Sequence, residues 1–156
     1  MDRIDAQIVA LLQKNARITN TELADKVGLA PSSAWERVKR LSQAKTFTGF
    51  HAEVDPAALG IRLQAMVAVR IGRHDRERVD RFRREVLGIR EVVALYHLAG
   101  RDDYLVHVVV KDAEHLRKVV LGSFTTRPEV AHVETHLVFE HVRKAALPNY
   151  AEEGDE

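Results

Sequence analysis

The sequence has no cysteine, no long hydrophobic run and no excess of charge of one sign. Without cysteine, the protein cannot form disulfides, use a thiol as a nucleophile or bind zinc through thiolates. No apolar run approaches the roughly 20 residues of a transmembrane helix, and the first residues lack the apolar core of a signal peptide. These absences predict a cytoplasmic protein that does not enter a membrane.

Recognisable catalytic and metal-binding patterns are also lacking. The sequence contains no phosphate-binding glycine loop and no recognisable pairing of a nucleophile with an acid or base. His107, His115 and His132 do not have the spacing of metal ligands, and His97 and His136 are expected on opposite edges of one sheet. We therefore predict no catalytic residues, no metal and no cofactor.

The near-balance of charge hides an uneven distribution. Lysine and arginine total 24 against 23 aspartate and glutamate, but four of the last five residues are acidic and none of the five is apolar. Such a composition buries too little apolar surface to fold, so residues 144–156 are predicted to be a disordered acidic tail. The rest of the chain is basic, and Arg37, Lys39, Arg40 and Lys45 lie close together in its first third.

Two short helical patterns meet at a glycine in the same part of the chain. Thr19 and Glu22 have the spacing of a capping box, which predicts the start of a helix. Gly28 tolerates the left-handed conformation that ends many helices, and Pro31 suits the first turn of the next one because its missing amide has no partner there. A helix, a tight turn and a second helix form a helix-turn-helix, whose second helix enters the DNA major groove.

The outer face of this second helix has the composition of a DNA-binding surface. Arginine can bridge two acceptors on guanine, lysine can neutralise phosphate, and serines at a helix start can donate to phosphate. A solvated helix face is the alternative for these charged residues. The predicted DNA-contacting residues are Ser32, Ser33, Trp35, Glu36, Arg37, Lys39 and Arg40.

Two residues of this set have a second interpretation. We expect Trp35 to pack against the first helix more readily than to contact a base. Glu36 can read the amino group of cytosine, or it can pair locally with Lys39 or Arg40 one helical turn further on.

The chain is predicted to be α+β, with two domains joined by a strand. Residues 1–45 form a helix-turn-helix (winged-helix-like) domain, and residues 46–60 form a linker strand and hinge broken at Asp55-Pro56. From 61 to 143 the pattern is strand 63–71, helix 75–87, strand 91–98, strand 104–110, a helix capped by Asp112, and strand 130–139. This βαββαβ order predicts a ferredoxin-like domain.

One face of the predicted sheet lacks a covering layer. Both helices of a ferredoxin-like domain cover the same face, and we expect Leu95, Leu105, Val109 and Val138 on the other. An apolar face of this size favours a homodimer that buries it.

The order of these motifs resembles the leucine-responsive/asparagine-regulator (Lrp/AsnC) family of bacterial and archaeal transcription regulators. The resemblance runs from about Ile4 to Val142. The matching segments are Ile4-Asp5, Ile8–Leu12, Arg17–Thr19, Glu22–Ala24, Val27–Leu29, Arg37–Leu41, Gly49-Phe50, Asp55-Pro56, Leu59-Gly60, Gly100 and Asp103–Leu105. Two positions depart from the family pattern: Ala30 replaces the usual hydroxyl cap before the second helix, and Lys45 replaces the usual glycine after it.

The resemblance implies a nucleoid-associated regulator that binds double-stranded DNA as a homodimer, octamer or higher oligomer. It also implies a small effector, usually an amino acid, bound near the turn at Gly100–Asp103 and the end of the last strand. The implied effector-contacting residues are His97, Gly100, Arg101, Asp102, Asp103, Tyr104, Thr135 and His136. The alternative for Asp102 and Asp103 is ordinary turn chemistry, whereas two adjacent carboxylates favour a basic amino acid as the effector.

Two other functions remain open at this point. Some haem-pathway decarboxylases resemble the same two-domain layout, and such an enzyme would bind a tetrapyrrole without needing a basic helix. An architectural DNA-binding protein would keep the basic helix but respond to no effector. The basic residues of the second helix favour DNA binding over the enzyme.

Overall fold

The computed structural model describes residues 1–72 and 76–151. Met1–Glu53 and the C-terminal segment that begins at Val142 form one unit, and Val54–His141 form another, so the division falls within the predicted linker. The predicted helix start at Asp75 and the acidic residues 152–156 lie outside the described residues. In the described ranges, no helix is long and apolar enough to span a bilayer.

Three helices form the first unit: α1 (Arg3–Lys14), α2 (Asn20–Val27) and α3 (Pro31–Gln43). Asp2 caps α1 by accepting a hydrogen bond from the Asp5 amide at 2.8 Å. The apolar residues of each helix recur at helical spacing and meet in one small core. This core contains Ile8, Leu12, Leu23, Val27 and Leu41.

The turn between α2 and α3 forms as the sequence predicts. Thr19 and Glu22 make both hydrogen bonds of the capping box, and Gly28 adopts a left-handed conformation with φ of 69°. Ala30 precedes α3 without a side-chain cap, as expected from its missing hydroxyl. Lys45 turns the chain after α3 with φ of 56°, a conformation that a residue with a Cβ atom adopts at some energetic cost.

The prediction of a linker strand is wrong for the isolated chain. Residues 46–55 have no regular secondary structure, because a strand needs a neighbouring strand to hydrogen-bond and none lies beside this segment within the described chain. Asp55 instead caps a short 3₁₀ helix, Pro56–Leu59. Beyond the second unit, the Leu147 amide donates to Gln13 Oε1 of α1 at 2.8 Å, which ties the C-terminal segment to the first unit.

The second unit has the predicted βαββαβ order. Its elements are β1 (Leu63–Ile71), α4 (Arg76–Leu87), β2 (Val92–His97), β3 (Tyr104–Val110), α5 (Ala113–Val120) with a following π-helical turn (Leu121–Thr125), and β4 (Val130–Val138). The strands pair antiparallel in the order β2-β3-β1-β4, which confirms the ferredoxin-like arrangement. His97 and His136 therefore lie on opposite edge strands, as predicted.

The core of this unit lies between the sheet and its helices. Alternate residues of β1 and β3 point into it, and Phe82 of α4 and Phe124 of the π-helical turn are fully buried there. The strand residues with no exposed surface in this core are Ala65, Val67, Val69, Val106 and Val108.

The open face of the sheet, opposite the helices, carries a mixture of apolar and polar side chains. Leu105, Val109 and Val138 lie on it, but the prediction for Leu95 is wrong. Leu95 is paired with Val106, and directly paired residues share a face, so Leu95 packs against the core. The open face contains Gln64, Met66, Ala68, Arg70, Ala94, Tyr96, Leu105, His107, Val109, His132, Glu134, His136 and Val138.

Candidate DNA-binding and effector sites

The N-terminal turn of α3 presents unpartnered backbone amides beside two hydroxyls. Ser32 and Ser33 are exposed and are the second and third residues of α3, directly after Pro31. Amides in the first turn of a helix have no carbonyl four residues earlier, so they can donate to an anion. Because Ala30 has no side chain to cap them, these amides stay available to phosphate.

Arg37 and Arg40 are held by carboxylates of α1, which sequence reasoning did not predict. Arg37 Nη1 lies 2.6 Å from Asp2 Oδ2 and 2.8 Å from Asp5 Oδ1, and Arg40 Nη2 lies 2.7 Å from Asp5 Oδ2. The hydrogen bond that Arg37 donates lowers the pKa of Asp2, and the hydrogen bonds that Arg37 donates to Asp2 and Asp5 raise the pKa of Arg37 itself. The only sequence signal is the pair of acidic residues at the start of α1.

Arg37 and Arg40 differ in what this pairing leaves accessible. The Arg37 side chain is 26% exposed and lies between two carboxylates, whereas that of Arg40 is 61% exposed. Arg37 therefore serves first as a tether between α1 and α3. Arg40 keeps most of its side chain accessible to a ligand.

Lys39, Glu36 and Trp35 are exposed on α3. No ion pair joins Glu36 to Lys39 or Arg40 in the described chain, because Arg40 turns to Asp5 instead. The prediction that Trp35 packs against α1 needs correction, since its side chain is 59% exposed. It borders an open apolar depression of about 460 Å³, whose lining is Leu12, Ala16, Ile18, Asn20, Leu23, Trp35, Val38, Lys39, Ser42 and Phe50.

The Gly100–Asp103 turn is held against the end of β1. Asp103 accepts a hydrogen bond from the Ile71 amide at 2.7 Å through Oδ2, and its own amide donates to the Val69 carbonyl at 3.0 Å. Gly100 has φ of 150°, which side-chain-bearing residues rarely adopt. The Asp103 carboxylate therefore joins the turn to β1 across 32 residues, so its bond is a tertiary contact and not the local turn chemistry considered as the alternative.

The carboxylate of Asp102 is less fully hydrogen-bonded than that of Asp103. Its Oδ1 is buried and has no hydrogen-bond partner among the described residues, whereas Arg101 beside it is exposed. A buried carboxylate oxygen without a partner is unfavourable, and in folded proteins such an atom usually binds a water, an ion or a ligand. The turn therefore contains an unsatisfied acceptor next to a satisfied one.

Tyr104 lies in an aromatic stack between the buried Phe82 and the exposed His97. The Tyr104 ring is 2% exposed and lies 4.8 Å from the His97 ring on one side and 5.1 Å from the Phe82 ring on another. Burial raises the pKa of the Tyr104 phenol. Tyr104 therefore supports the turn from inside the core and does not face a ligand within one chain.

The chain does not bring Thr135 and His136 to the turn. Both lie on edge strand β4, where Thr135 is paired with Val67 of the core face and His136 with Met66 of the open face. Adjacent strand residues point to opposite faces, so the two side chains cannot line one pocket within a single chain. Among the described residues, no group of three or more His, Cys, Asp or Glu side chains could hold a metal ion.

Comparisons with known proteins agree with both units. The model of the AsnC-type helix-turn-helix domain matches residues 1–42, and that of the Lrp/AsnC ligand binding domain matches residues 64–147. The HTH-type transcriptional regulator AldR of Mycobacterium tuberculosis is 40% identical over 146 residues, which cover 94% of this chain and 82% of AldR. The leucine-responsive regulatory protein of Escherichia coli K12 is 32% identical over 145 residues, covering 93% and 88%.

A solved structure matches across both units. The transcriptional regulator NMB0573 of Neisseria meningitidis, solved as a complex with L-Met, superposes with a TM-score of 0.90 at 27% sequence identity, covering 98% of this chain and 99% of that one. The two family models account for most of the chain, and AldR and the leucine-responsive protein extend the likeness across both units. The chain therefore belongs to the Lrp/AsnC family of helix-turn-helix transcriptional regulators.

Proposed function

We propose that this protein binds operator DNA as a homodimer, with one α3 helix of each protomer in the major groove. The exposed surface of α3 supports this proposal most directly, since it carries Ser32 and Ser33 in the first turn and Lys39 and the accessible part of Arg40 about two turns further along. A twofold dimer places its two helices on half-sites about 34 Å apart. Because promoters lie in the nucleoid, we propose that the protein is located there, in the cytoplasm. We propose no enzymatic activity, since the named relatives are transcriptional regulators.

The homodimer is proposed to form through the open face of the sheet. Leu105, Val109 and Met66 provide apolar area there, and the buried imidazole of His107 bonds Gln64 at 2.8 Å. Burial lowers the pKa of His107, with a smaller contribution from His141, so the imidazole tends to stay neutral. Assembly of dimers into an octamer or a larger form would bring the Gly100–Asp103 turns and β4 strands of different protomers together.

We propose an amino acid as the effector, and a basic one in particular. Asp102 and Asp103 place two carboxylates at the turn, and the unpartnered Asp102 Oδ1 provides an acceptor for an ammonium group. The complex of NMB0573 with L-Met motivates the ligand class. His97, Gly100 and Arg101 remain proposed neighbours of the effector, with Thr135 and His136 from other protomers.

DNA binding is tested by selecting operators from a random duplex library and measuring their affinity at several salt concentrations. We expect palindromic sites, and we expect Lys39→Ala to reduce the slope of log affinity against log salt by about 0.9, because one phosphate contact is lost. Lys118→Ala removes the same charge from α5 of the second unit and should leave the slope unchanged. Failure to enrich any sequence, or equal slopes for Lys39→Ala and wild type, would contradict the proposal.

Effector binding is tested by thermal shift with all 20 amino acids, since a ligand that binds the folded state raises its melting temperature. Lysine and norleucine make a matched pair, because norleucine keeps the aliphatic chain but lacks the side-chain ammonium. We expect lysine to bind at least tenfold more tightly, as one charge-assisted hydrogen bond is worth roughly 1.5–3 kcal/mol. Equal affinity for the two would rule out recognition of the side-chain charge by Asp102.

A further inference from the structure

The carboxylate of Asp5 lies buried between α1 and α3, and in the described chain the side chains that donate hydrogen bonds to it are those of Arg37 and Arg40 on α3. The Asp5 side chain is 6% exposed, and both of its oxygens accept from guanidinium groups. Arg40 Nη2 lies 2.7 Å from Oδ2 and 3.0 Å from Oδ1, and Arg37 Nη1 lies 2.8 Å from Oδ1. Charge-assisted hydrogen bonds from two arginines hold this buried carboxylate in one position on α1.

The bonds from Asp5 hold one end of the Arg40 side chain without covering it. In the described chain, the hydrogen bonds of Arg40 to side chains use Nη2 alone, and 61% of the side chain stays exposed. A guanidinium carries five N–H donors in a rigid fork, so fixing one nitrogen also orients the others. Arg37 offers a contrast, because it reaches both Asp2 and Asp5 and is mostly covered.

An arginine that is already ordered loses less side-chain entropy when it binds a phosphate. A long side chain that is free in solution must first be confined to one rotamer, and this requirement weakens its contact with DNA. The carboxylate also keeps Arg40 from folding back onto its own helix. A single acidic residue on α1 can therefore raise the affinity of α3 for DNA, although its own charge repels phosphate.

We propose that Asp5 is a positioning residue for DNA recognition, which fixes the guanidinium of Arg40 so that its remaining N–H groups meet a DNA phosphate. This proposal rests on the proposed DNA-binding function. It assigns the anchoring role to α1, outside the helix-turn-helix formed by α2 and α3. It also separates the two arginines: Arg40 contacts DNA, and Arg37 fastens α3 to α1.

The test is a double-mutant cycle in operator affinity, using Asp5→Asn and Arg40→Ala in the full chain. We expect Asp5→Asn to weaken binding about tenfold when Arg40 is present, and less than twofold when residue 40 is alanine. Asp25→Asn is the matched control, because Asp25 is exposed on α2 and the change removes the same charge. This control should leave affinity unchanged or raise it slightly.

Two results would overturn the proposal: an equal loss of affinity in both backgrounds, which indicates a purely structural role for Asp5, or no loss in either. If circular dichroism shows that Asp5→Asn does not fold, the affinity of Arg40→Lys is the test. This variant keeps the positive charge at an exposed position but loses the guanidinium and its planar set of N–H donors. We expect it to bind about tenfold more weakly, and unchanged affinity would overturn the proposal. If wild type selects no DNA at all, the proposed function itself fails, which is a different outcome.

Discussion

Replacing Leu105 with glutamate is expected to abolish the proposed homodimer and to weaken operator binding by a factor of about 100 or more. Leu105 lies on the open face between Tyr96 and Ala68, so a charge there would face the same charge on the partner across the interface. Loss of the dimer converts a bivalent contact into a monovalent one. Each α3 helix would then bind its half-site alone.

The measurements are light scattering after size exclusion and fluorescence anisotropy with the selected operator. Leu121→Glu is the matched control, because this leucine is 46% exposed in the π-helical turn and lies outside the sheet. It should leave both the mass and the affinity unchanged. A Leu105→Glu protein that remains dimeric and binds normally would show that the dimer uses another surface.

Replacing Phe82 with alanine should destabilise the second unit by about 3–5 kcal/mol. Phe82 is fully buried, its ring lies 5.1 Å from that of Tyr104, and the Arg127 guanidinium lies 5.8 Å above it. The change leaves a cavity and removes a cation–π contact. Since domains unfold with only about 5–15 kcal/mol, this loss should lower the melting temperature by more than about 10 °C.

Calorimetry and urea unfolding measure this effect, and Phe139→Ala provides the comparison. Phe139→Ala is the same substitution at a position that is 97% exposed, so the free energy of unfolding of this variant should differ from that of wild type by less than about 0.5 kcal/mol. Binding at the proposed effector site should weaken as well, because Phe82 packs against Tyr104, the residue that follows the Gly100–Asp103 turn. Equal stability of the two variants would contradict the packing of this unit around Phe82.

Local chemistry was enough to predict the three helices of the first unit and the βαββαβ order of the second. The capping box of Thr19 and Glu22 and the turn at Gly28 depend on residues within four positions of each other, so sequence spacing alone specifies them. The alternation of β3 likewise predicts which of its residues face the core. The missing cap at Ala30 could likewise be predicted from its own side chain, whereas the left-handed turn at Lys45 was indicated only by the resemblance, in which glycine usually stands there.

The face of Leu95 depended on pairing between strands. Its assignment changes with the register of β2 against β3, and a slip of one residue exchanges the two faces of a strand. The linker strand depended on a neighbour that the described chain does not supply. Sequence spacing describes a strand's own alternation but not the position of its partner.

The sequence by itself determined the family, the two folds and the helix that presents the basic residues, because motif order and periodicity are local properties of the chain. Tertiary structure alone decided which charged side chains form ion pairs or hydrogen bonds within the chain. Asp5 meets Arg37 and Arg40 across 32 and 35 residues, and Asp103 reaches the Ile71 amide across 32. Such pairs form only after helices and strands pack, and no spacing rule predicts which carboxylate will be satisfied and which, like that of Asp102, will be left with an unpartnered oxygen.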